Sequence, residues 1–246
     1  MPGTDIGESP YPVDLYDAVH QGTPGDVAFY RHACEGAAAV LELGCGSGRV
    51  LAALAEPGRR LVGLDESADA LRIASSRVPG VELVEGRMQE LDLGERFDRI
   101  VAPFSALYCL GSTGALEATL RAAVHHLAPG GEFLADVWNA DEFHAEGDPE
   151  DDEPSPLVQI EARGTTYFVY ESSTWDRDAQ HLVVSYEYRD ARGGSIPASI
   201  AHRYFLKTEI EAALSSSGAK QWRLEADFSG TPWRPSSELT VIRAEA

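Results

Sequence analysis

The stretch from Ala37 to Asp65, AAAVLELGCGSGRVLAALAEPGRRLVGLD, constrains the fold more than any other part of the chain. It opens on a short apolar run, Ala38 to Leu41, of the kind that suits a strand buried on both faces. A glycine-rich turn follows, and Arg49 to Ala55 reads as the first turns of a helix. A second apolar run, Leu61 to Leu64, ends on Asp65. Glycines at alternate positions let the backbone take dihedrals closed to other residues and let a ligand come close. The helix that begins there offers unpaired N–H groups to negative charge. An acid closing the second strand, about 20 residues after the first glycine, is where nucleotide-binding sheets hold a ribose hydroxyl pair. A nucleoside ligand is therefore expected. The competing reading is a tight turn in another α/β protein, with Asp65 as a helix-capping residue.

Dinucleotide sites carry G-x-G-x-x-G. Here the spacing is G-x-G-x-G, at Gly44, Gly46 and Gly48, with Glu42 two residues ahead of the first glycine. Taken with Asp65, this pattern resembles motif I of the class I S-adenosylmethionine-dependent methyltransferases. The resemblance spans roughly Tyr11 to Arg243, with its specific motifs between Glu42 and Trp138. It implies S-adenosyl-L-methionine as cofactor. It also implies that Glu42, Gly44, Cys45, Gly46 and Gly48 form the cofactor loop, the glycines against the methionine half. Asp65 would take the ribose hydroxyls, and Glu66 or Ser67 would flank the adenine. The loop after the third strand usually carries an acid in this family, whereas this chain has Gly86-Arg87-Met88. A guanidinium accepts no hydrogen bond, which leaves the Met88 backbone N–H and the Gln89 side chain for the adenine. Ala102-Pro103-Phe104-Ser105 looks like the F-S-S-type run of small-molecule N-methyltransferases, especially those acting on amino sugars. Pro103 and Phe104 would then line the sulfonium side, with core packing the other reading for Phe104.

Beyond the opening unit the alternation continues. Ser67 is placed to cap a helix, Val81 to Val84 reads as a third strand, and Phe97 to Phe104 as a fourth. A helix from about Thr113 to Leu127 precedes a fifth strand, Glu132 to Trp138. His125-His126 then closes that helix, where a cation is favoured by the helix dipole. Two short helices come earlier, one from Val13 to His20 and one from Asp26 to Glu35 with Asp26 as N-cap. Asn139 to Pro156 is acidic and proline-punctuated and reads as a loop. From Leu157 to Phe205 the period becomes two, with Leu182, Val184, Tyr186 and Tyr188 on one face. Thr208 and Glu211 match a T-x-x-E capping box, and Trp222 to Phe228 and Leu239 to Arg243 supply the last strands. The expected fold is α/β: a Rossmann-like, seven-stranded, mostly parallel sheet with helices on both faces and an antiparallel β insertion after the fifth strand. Its expected segments are a helical cap over 1–36, a cofactor-binding core over 37–139, an acidic loop and β lid over 140–206, and the last helix and strands over 207–246.

Composition narrows the function. The formal charge of −20 repels phosphate backbones, and no basic stripe with interleaved aromatics is present, so nucleic acid is excluded as a partner. That charge suits a cationic small molecule such as an amine. Cys34, Cys45 and Cys109 are unclustered, as reduced thiols are, and no His/Asp/Glu spacing suggests a metal. The start, MPGTDIGESPYP, has no leader pattern and reads as mobile, and no apolar run is long enough for a membrane span. A cytoplasmic protein is expected, and an exposed β insertion is compatible with a homodimer.

For the chemistry, an amine acceptor needs only to bind unprotonated, whereas a hydroxyl acceptor generally needs a base. Candidates are Tyr11 and Tyr16, in YPVDLYDAV, and His202; plain packing is the alternative for each. His20, Tyr204 and Glu171 are further candidates, and Trp138 and Asn139 stand just past the fifth strand, where α/β sheets meet ligands. The expected function is methyl transfer to a small molecule, at nitrogen first. An O-methyltransferase or a cofactor-binding module without catalysis remain as alternatives.

Overall fold

A computed structural model describes residues 11–146 and 153–246. Residues 1–10 of the start read as mobile, 1–12, and the centre of the acidic segment, 147–152, lie outside the described residues. The chain divides into two compact units, a larger one from Gly22–Phe143 and Phe205–Ala246, and a smaller one from the N-terminal residues up to Gln21 with His144–Tyr204.

The larger unit is built on a seven-stranded sheet. Its strands are β1 (Ala39–Leu43), β2 (Arg60–Asp65), β3 (Glu82–Glu85), β4 (Phe97–Ala102), β5 (Leu127–Trp138), β10 (Gln221–Glu225) and β11 (Leu239–Glu245), numbered with the smaller unit's four strands, given below. The spatial order is β10-β11-β5-β4-β1-β2-β3, parallel from β3 through β5, with β11 antiparallel to both neighbours. Continuous apolar runs make β1 and β2 strands, since both faces are covered: Val40, Leu41, Leu43, Val62 and Leu64 are buried. Gly63 is required there, because a Cβ would lie 2.8 Å from the Cys45 Sγ and 2.9 Å from the Leu51 Cδ2.

The helices of this unit are α2 (Asp26–Ala33), α3 (Arg49–Leu54), α4 (Ala68–Arg77), α5 (Thr113–His125) and α7 (Lys207–Ser216), while α6 (Ala140–Ala145) spans the division. Ser67 caps α4 as expected, its Oγ accepting from the Ala70 N–H at 3.2 Å.

Several local expectations shift. Gly25, in the left-handed region at φ 92°, is the N-cap of α2, and Asp26 is its first residue, turned instead toward Arg49. The capping interaction of α7 lies two residues earlier than T-x-x-E suggests: Glu209 Oε2 accepts from the Leu206 N–H at 2.9 Å. The acidic segment begins with helix α6 rather than a loop, because Asn139 Oδ1 accepts from the Asp141 N–H at 3.2 Å and starts its first turn. Strand β5 starts at Leu127, earlier than Glu132, across a register shift opposite Phe97/Arg99. His126, at the C-terminal end of α5, is buried: Nδ1 donates to the Ala122 carbonyl at 2.7 Å and Nε2 accepts from the Leu93 N–H at 3.2 Å.

The smaller unit is a four-stranded antiparallel sheet, β6 (Ser155–Ala162), β7 (Thr165–Asp176), β8 (His181–Asp190) and β9 (Ser195–Arg203), in that order, with α1 (Val13–Val19) packed on it. The period-two pattern of β8 sends Tyr186 and Tyr188 into a core with Leu15, Ile160, Tyr167, Val169 and Ala198. Arg163, at the β6–β7 turn, donates to both carboxylate oxygens of Asp14 at 2.6 and 2.7 Å and ties α1 to the sheet.

Candidate functional site

In the larger unit β1 sits between β2 on one side and β4 on the other, so successive connections leave it in opposite directions. That switch point opens a crevice at the strands' carboxyl ends, where α/β sheets take ligands. The turn that enters it is made by Gly44, Gly46 and Gly48, at φ 67°, 52° and 82°. Nothing lies within 4 Å of a Cβ built on Gly46, so the glycine there leaves open space above the backbone. Gly44 meets the turn after β4 instead: its Cβ would stand 3.0 Å from the Ala106 Cβ and 3.9 Å from the Met88 Sδ.

Asp65 closes β2 beside this turn. Its Oδ2 accepts from the Gly46 N–H and its Oδ1 from the Ser67 N–H, both at 2.8 Å. Each oxygen keeps a second lone pair. Burial raises its pKa, and the two amide hydrogen bonds work against that rise. Glu42 is more deeply placed, with 3% exposure, and its Oε2 is buried with no hydrogen-bond partner. Burial holds this carboxyl well above the ordinary range, Arg49 opposing and Asp65 and Asp26 adding to it. Leaving such a group unsatisfied costs on the order of 1–3 kcal/mol, so Glu42 is poised for a cationic or hydrogen-donating partner. The Cys45 side chain does not take part: it is buried against the Gly63 position, and only its backbone belongs to the loop.

Arg49, the residue after the last glycine, was not singled out from the sequence. It donates to Asp26 Oδ1 at 3.1 Å and Oδ2 at 2.5 Å, and its guanidinium stands 5.7 Å from the centre of the Phe104 ring. Burial lowers its pKa, but the bonds to Asp26 more than offset this and leave it raised. Asp136 was missed as well. Fully buried at the end of β5, it accepts on Oδ1 from the Tyr30 hydroxyl at 2.5 Å and the Phe104 N–H at 2.9 Å. Its Oδ2 accepts from the Thr23 hydroxyl at 3.3 Å. The residues it braces, Phe104 and Ser105, are both in the left-handed region, at φ 54° and 56°. Consecutive non-glycine residues there cost of order 1–3 kcal/mol each and persist only where the surroundings hold them. The single signal in the sequence was the position of Asp136 near the end of an apolar strand.

The other expected residues are spread around this crevice. Met88 and Gln89 lie in a single 3₁₀ turn after β3, both half-buried, and Pro103 is buried at the end of β4. Glu66 is exposed and faces Arg87 at 3.7 Å, so the guanidinium that replaces the family's acid is paired with the acid that follows Asp65. Asn139 is not free to meet a substrate: its amide donates to the carbonyls of Pro235 and Ser237 at 2.9 and 2.8 Å. The Trp138 ring packs edge-on against Tyr108 and Phe143.

Tyr11, Tyr16 and His202 belong to the smaller unit. The Tyr11 ring meets Tyr16 edge-on at 5.4 Å and Tyr186 at 5.6 Å, and its hydroxyl bonds to the Tyr188 hydroxyl and, at 3.3 Å, to His20 Nε2. Burial, then the Tyr188 bond, keeps the Tyr11 phenol far above its usual pKa. His202 Nδ1 is buried without a partner, and burial lowers this imidazole to about 4; His20 is likewise lowered to about 4, by burial and then by His202.

Comparison with known proteins assigns the family. The methyltransferase-domain family matches residues 40–131. Over 217 residues, 83% of this chain and 82% of the relative, the sequence is 30% identical to dTDP-3-amino-3,6-dideoxy-alpha-D-glucopyranose N,N-dimethyltransferase of Streptomyces fradiae. The chain belongs to the S-adenosylmethionine-dependent methyltransferases. Among solved structures of such enzymes, the CcbJ methyltransferase from Streptomyces caelestis is similar over 95% of both chains, with 27% identity and a TM-score of 0.77. CalS10, an amino pentose methyltransferase from Micromonospora echinaspora solved with its cofactor, is similar over 94% of this chain and 96% of its own, with 25% identity and a TM-score of 0.70. The methyltransferase therefore uses S-adenosyl-L-methionine, and the unpartnered Glu42 oxygen and the open face of Gly46 fit that cofactor's ammonium and backbone. No helix among the described residues is long and apolar enough to cross a membrane.

Proposed function

We propose that this methyltransferase acts on the amine nitrogen of a small molecule, with an amino sugar as the acceptor class. The observation that carries the cofactor half is the buried, unpartnered oxygen of Glu42 beside the glycine turn. The acceptor half is supported by similarity to an amino-sugar N,N-dimethyltransferase that runs through the β insertion as well as the core. When bound, the cofactor supplies an activated methyl on a sulfonium.

The chain's own groups bind and orient. Glu42 takes the ammonium, and the backbone of Gly44, Cys45, Gly46 and Gly48 packs against the methionine half. Asp65 uses its remaining lone pairs for the ribose hydroxyls while its other pairs hold the Gly46 and Ser67 amides. Glu66, Met88 and Gln89 border the adenine, and Pro103 and Phe104 line the side from which the acceptor approaches. An amine that arrives neutral needs no base. A hydroxyl acceptor needs a base, and a base-limited pH profile abolished by changing Tyr11, Tyr16 or His202 would favour that second reading.

Calorimetry tests the cofactor site: Asp65→Ala is expected to weaken S-adenosyl-L-methionine binding at least about tenfold, about 1.4 kcal/mol, with an unchanged circular dichroism spectrum. An unaltered titration removes Asp65 from the site. The acceptor is tested on free amino sugars beside their nucleotide-linked forms, because a formal charge of −20 works against a diphosphate. Turnover of hydroxyl acceptors alone would overturn the amine.

A further inference from the structure

The turn after β4 is held in a conformation its residues do not favour, and the group that holds it lies outside the expected binding residues. Phe104 and Ser105 both have left-handed dihedrals although neither is glycine. Asp136 fixes them from two directions: its Oδ1 accepts from the Phe104 N–H at 2.9 Å and its backbone carbonyl accepts from the Ser105 N–H at 2.9 Å. The Trp138 N–H adds a weaker tie to the Ser105 Oγ at 3.3 Å. The carboxylate itself is fully buried and is shared with two hydroxyls, Tyr30 at 2.5 Å from α2 and Thr23 at 3.3 Å from the segment before it. Its oxygens are therefore directed by three donors from two parts of the chain.

What the turn does follows from where it leads. Held this way, it brings Ala106 so close to the glycine loop that a Cβ on Gly44 would lie 3.0 Å from the Ala106 Cβ, and it places the Phe104 ring under the Arg49 guanidinium. The turn thus packs directly against the glycine loop at which the cofactor is proposed to bind.

We propose that Asp136, oriented by Tyr30 and Thr23, is a positioning residue for the cofactor pocket: it clamps the Phe104–Ser105 turn in the left-handed conformation that seats it against Gly44. The inference rests on the cofactor site given above and adds to it a residue that does not touch the ligand. Charge-assisted hydrogen bonds to a buried carboxylate are the strong ones, and an asparagine at 136 keeps the shape while losing the charge and one acceptor.

The test is a double-mutant cycle read by calorimetry with S-adenosyl-L-methionine. Asp136→Asn is expected to weaken binding about tenfold. If Asp136 acts by holding an unfavourable turn, glycine at 105 relieves the need for it. The Asp136→Asn penalty measured in a Ser105→Gly background is then expected to shrink to under about threefold. Tyr30→Phe, which removes one donor and keeps the ring, is expected to weaken binding in the same direction by a smaller factor, and it decides by the same criterion where Asp136→Asn does not fold. A purely structural role would lower the unfolding temperature and leave the dissociation constant of the folded protein unchanged, and that result overturns the proposal. An equal Asp136→Asn penalty with and without Ser105→Gly overturns it too. If Asp65→Ala weakens binding in the same titrations while Asp136→Asn and Tyr30→Phe do not, the clamp fails and the site stands; if the unsubstituted protein does not bind the cofactor, both fall.

Discussion

Around the glycine turn the larger unit buries charge, while the smaller unit buries rings. Asp26, Glu42 and Asp136 are all nearly inaccessible and share one guanidinium, that of Arg49. In the smaller unit the corresponding interior is Tyr167, Tyr186 and Tyr188 with aliphatic neighbours, and two of its histidines, His20 and His202, are held neutral by burial. Apolar burial stabilises without needing a partner, at roughly 25 cal/mol per Å², whereas a buried carboxylate is costly until something positive or hydrogen-donating meets it. The contrast teaches where to look for function in such a chain. On the proposed function, the region that is electrostatically incomplete by itself is the one that receives the charged cofactor.

The largest effect that sharpens this contrast is at Arg49. Arg49→Met leaves Asp26 buried without the guanidinium that pairs with it, and removing one partner of a buried pair costs about 3–5 kcal/mol. Urea unfolding measures it. A loss under about 1 kcal/mol would mean that the Arg49–Asp26 pair contributes little to the fold, and the charge-burying character of the larger unit would have to be given up.

How much of this was legible beforehand differs between the same two regions. The glycine loop could be read because its requirements are local: alternate glycines, the acid two residues before them and the acid ending the next strand all fall within one strand–turn–helix–strand unit. The sheet followed from apolar runs spaced by helices, and the β insertion from the period-two run through Tyr186 and Tyr188. Arg49 and Asp136 were not legible as site residues, because their roles exist only once α2 is packed. Asp26 reads locally as a helix cap, and only the tertiary pairing with Arg49, 23 positions away, turns it elsewhere. Asp136 reads as one polar residue in an apolar strand until Tyr30, 106 positions away, is brought to it. Asn139 erred in the opposite sense: its place past β5 suits a ligand, but the chain near Pro235 returns to occupy its amide.

A middle-sized effect should separate the units by pH. His20 and His202 have folded pKa values of about 4, below the ordinary imidazole value near 6.5. The unfolded chain therefore binds more protons between those limits, and stability falls as pH drops from about 6.5 toward 4. Glu42 has the opposite sign. Its folded pKa is raised, so its contribution is fully present below the unfolded carboxyl value and is lost as pH rises through the folded one. For His202 the acid loss should be on the order of 1–3 kcal/mol, given its partial exposure. Imidazole proton resonances followed across this range check it. Midpoints near 6.5 for both histidines would show that the smaller unit does not exclude water as its aromatic core implies.

The smallest effect is expected at Tyr11, and it asks whether the ring cluster of the smaller unit is packing or chemistry. The Tyr11 hydroxyl bonds to Tyr188 and His20, Tyr188 passes its own hydrogen to the Leu15 carbonyl at 3.3 Å, and the Tyr11 ring is wedged among Tyr16, Tyr186 and Tyr188. A phenol in that setting is a poor base at neutral pH, because burial and its neighbours keep its pKa far above the usual value. Tyr11→Phe keeps every ring contact and deletes only the hydroxyl, so it should cost about 0.5–1.5 kcal/mol of stability. It should also leave kcat for an amine acceptor within about threefold, since a neutral amine asks for no proton acceptor on the enzyme. A fall in kcat of about a hundredfold or more, with unchanged stability and cofactor affinity, would place a proton transfer in the smaller unit. The acceptor would then have to be a group that gives up its proton as it is methylated, which the amine reading does not require.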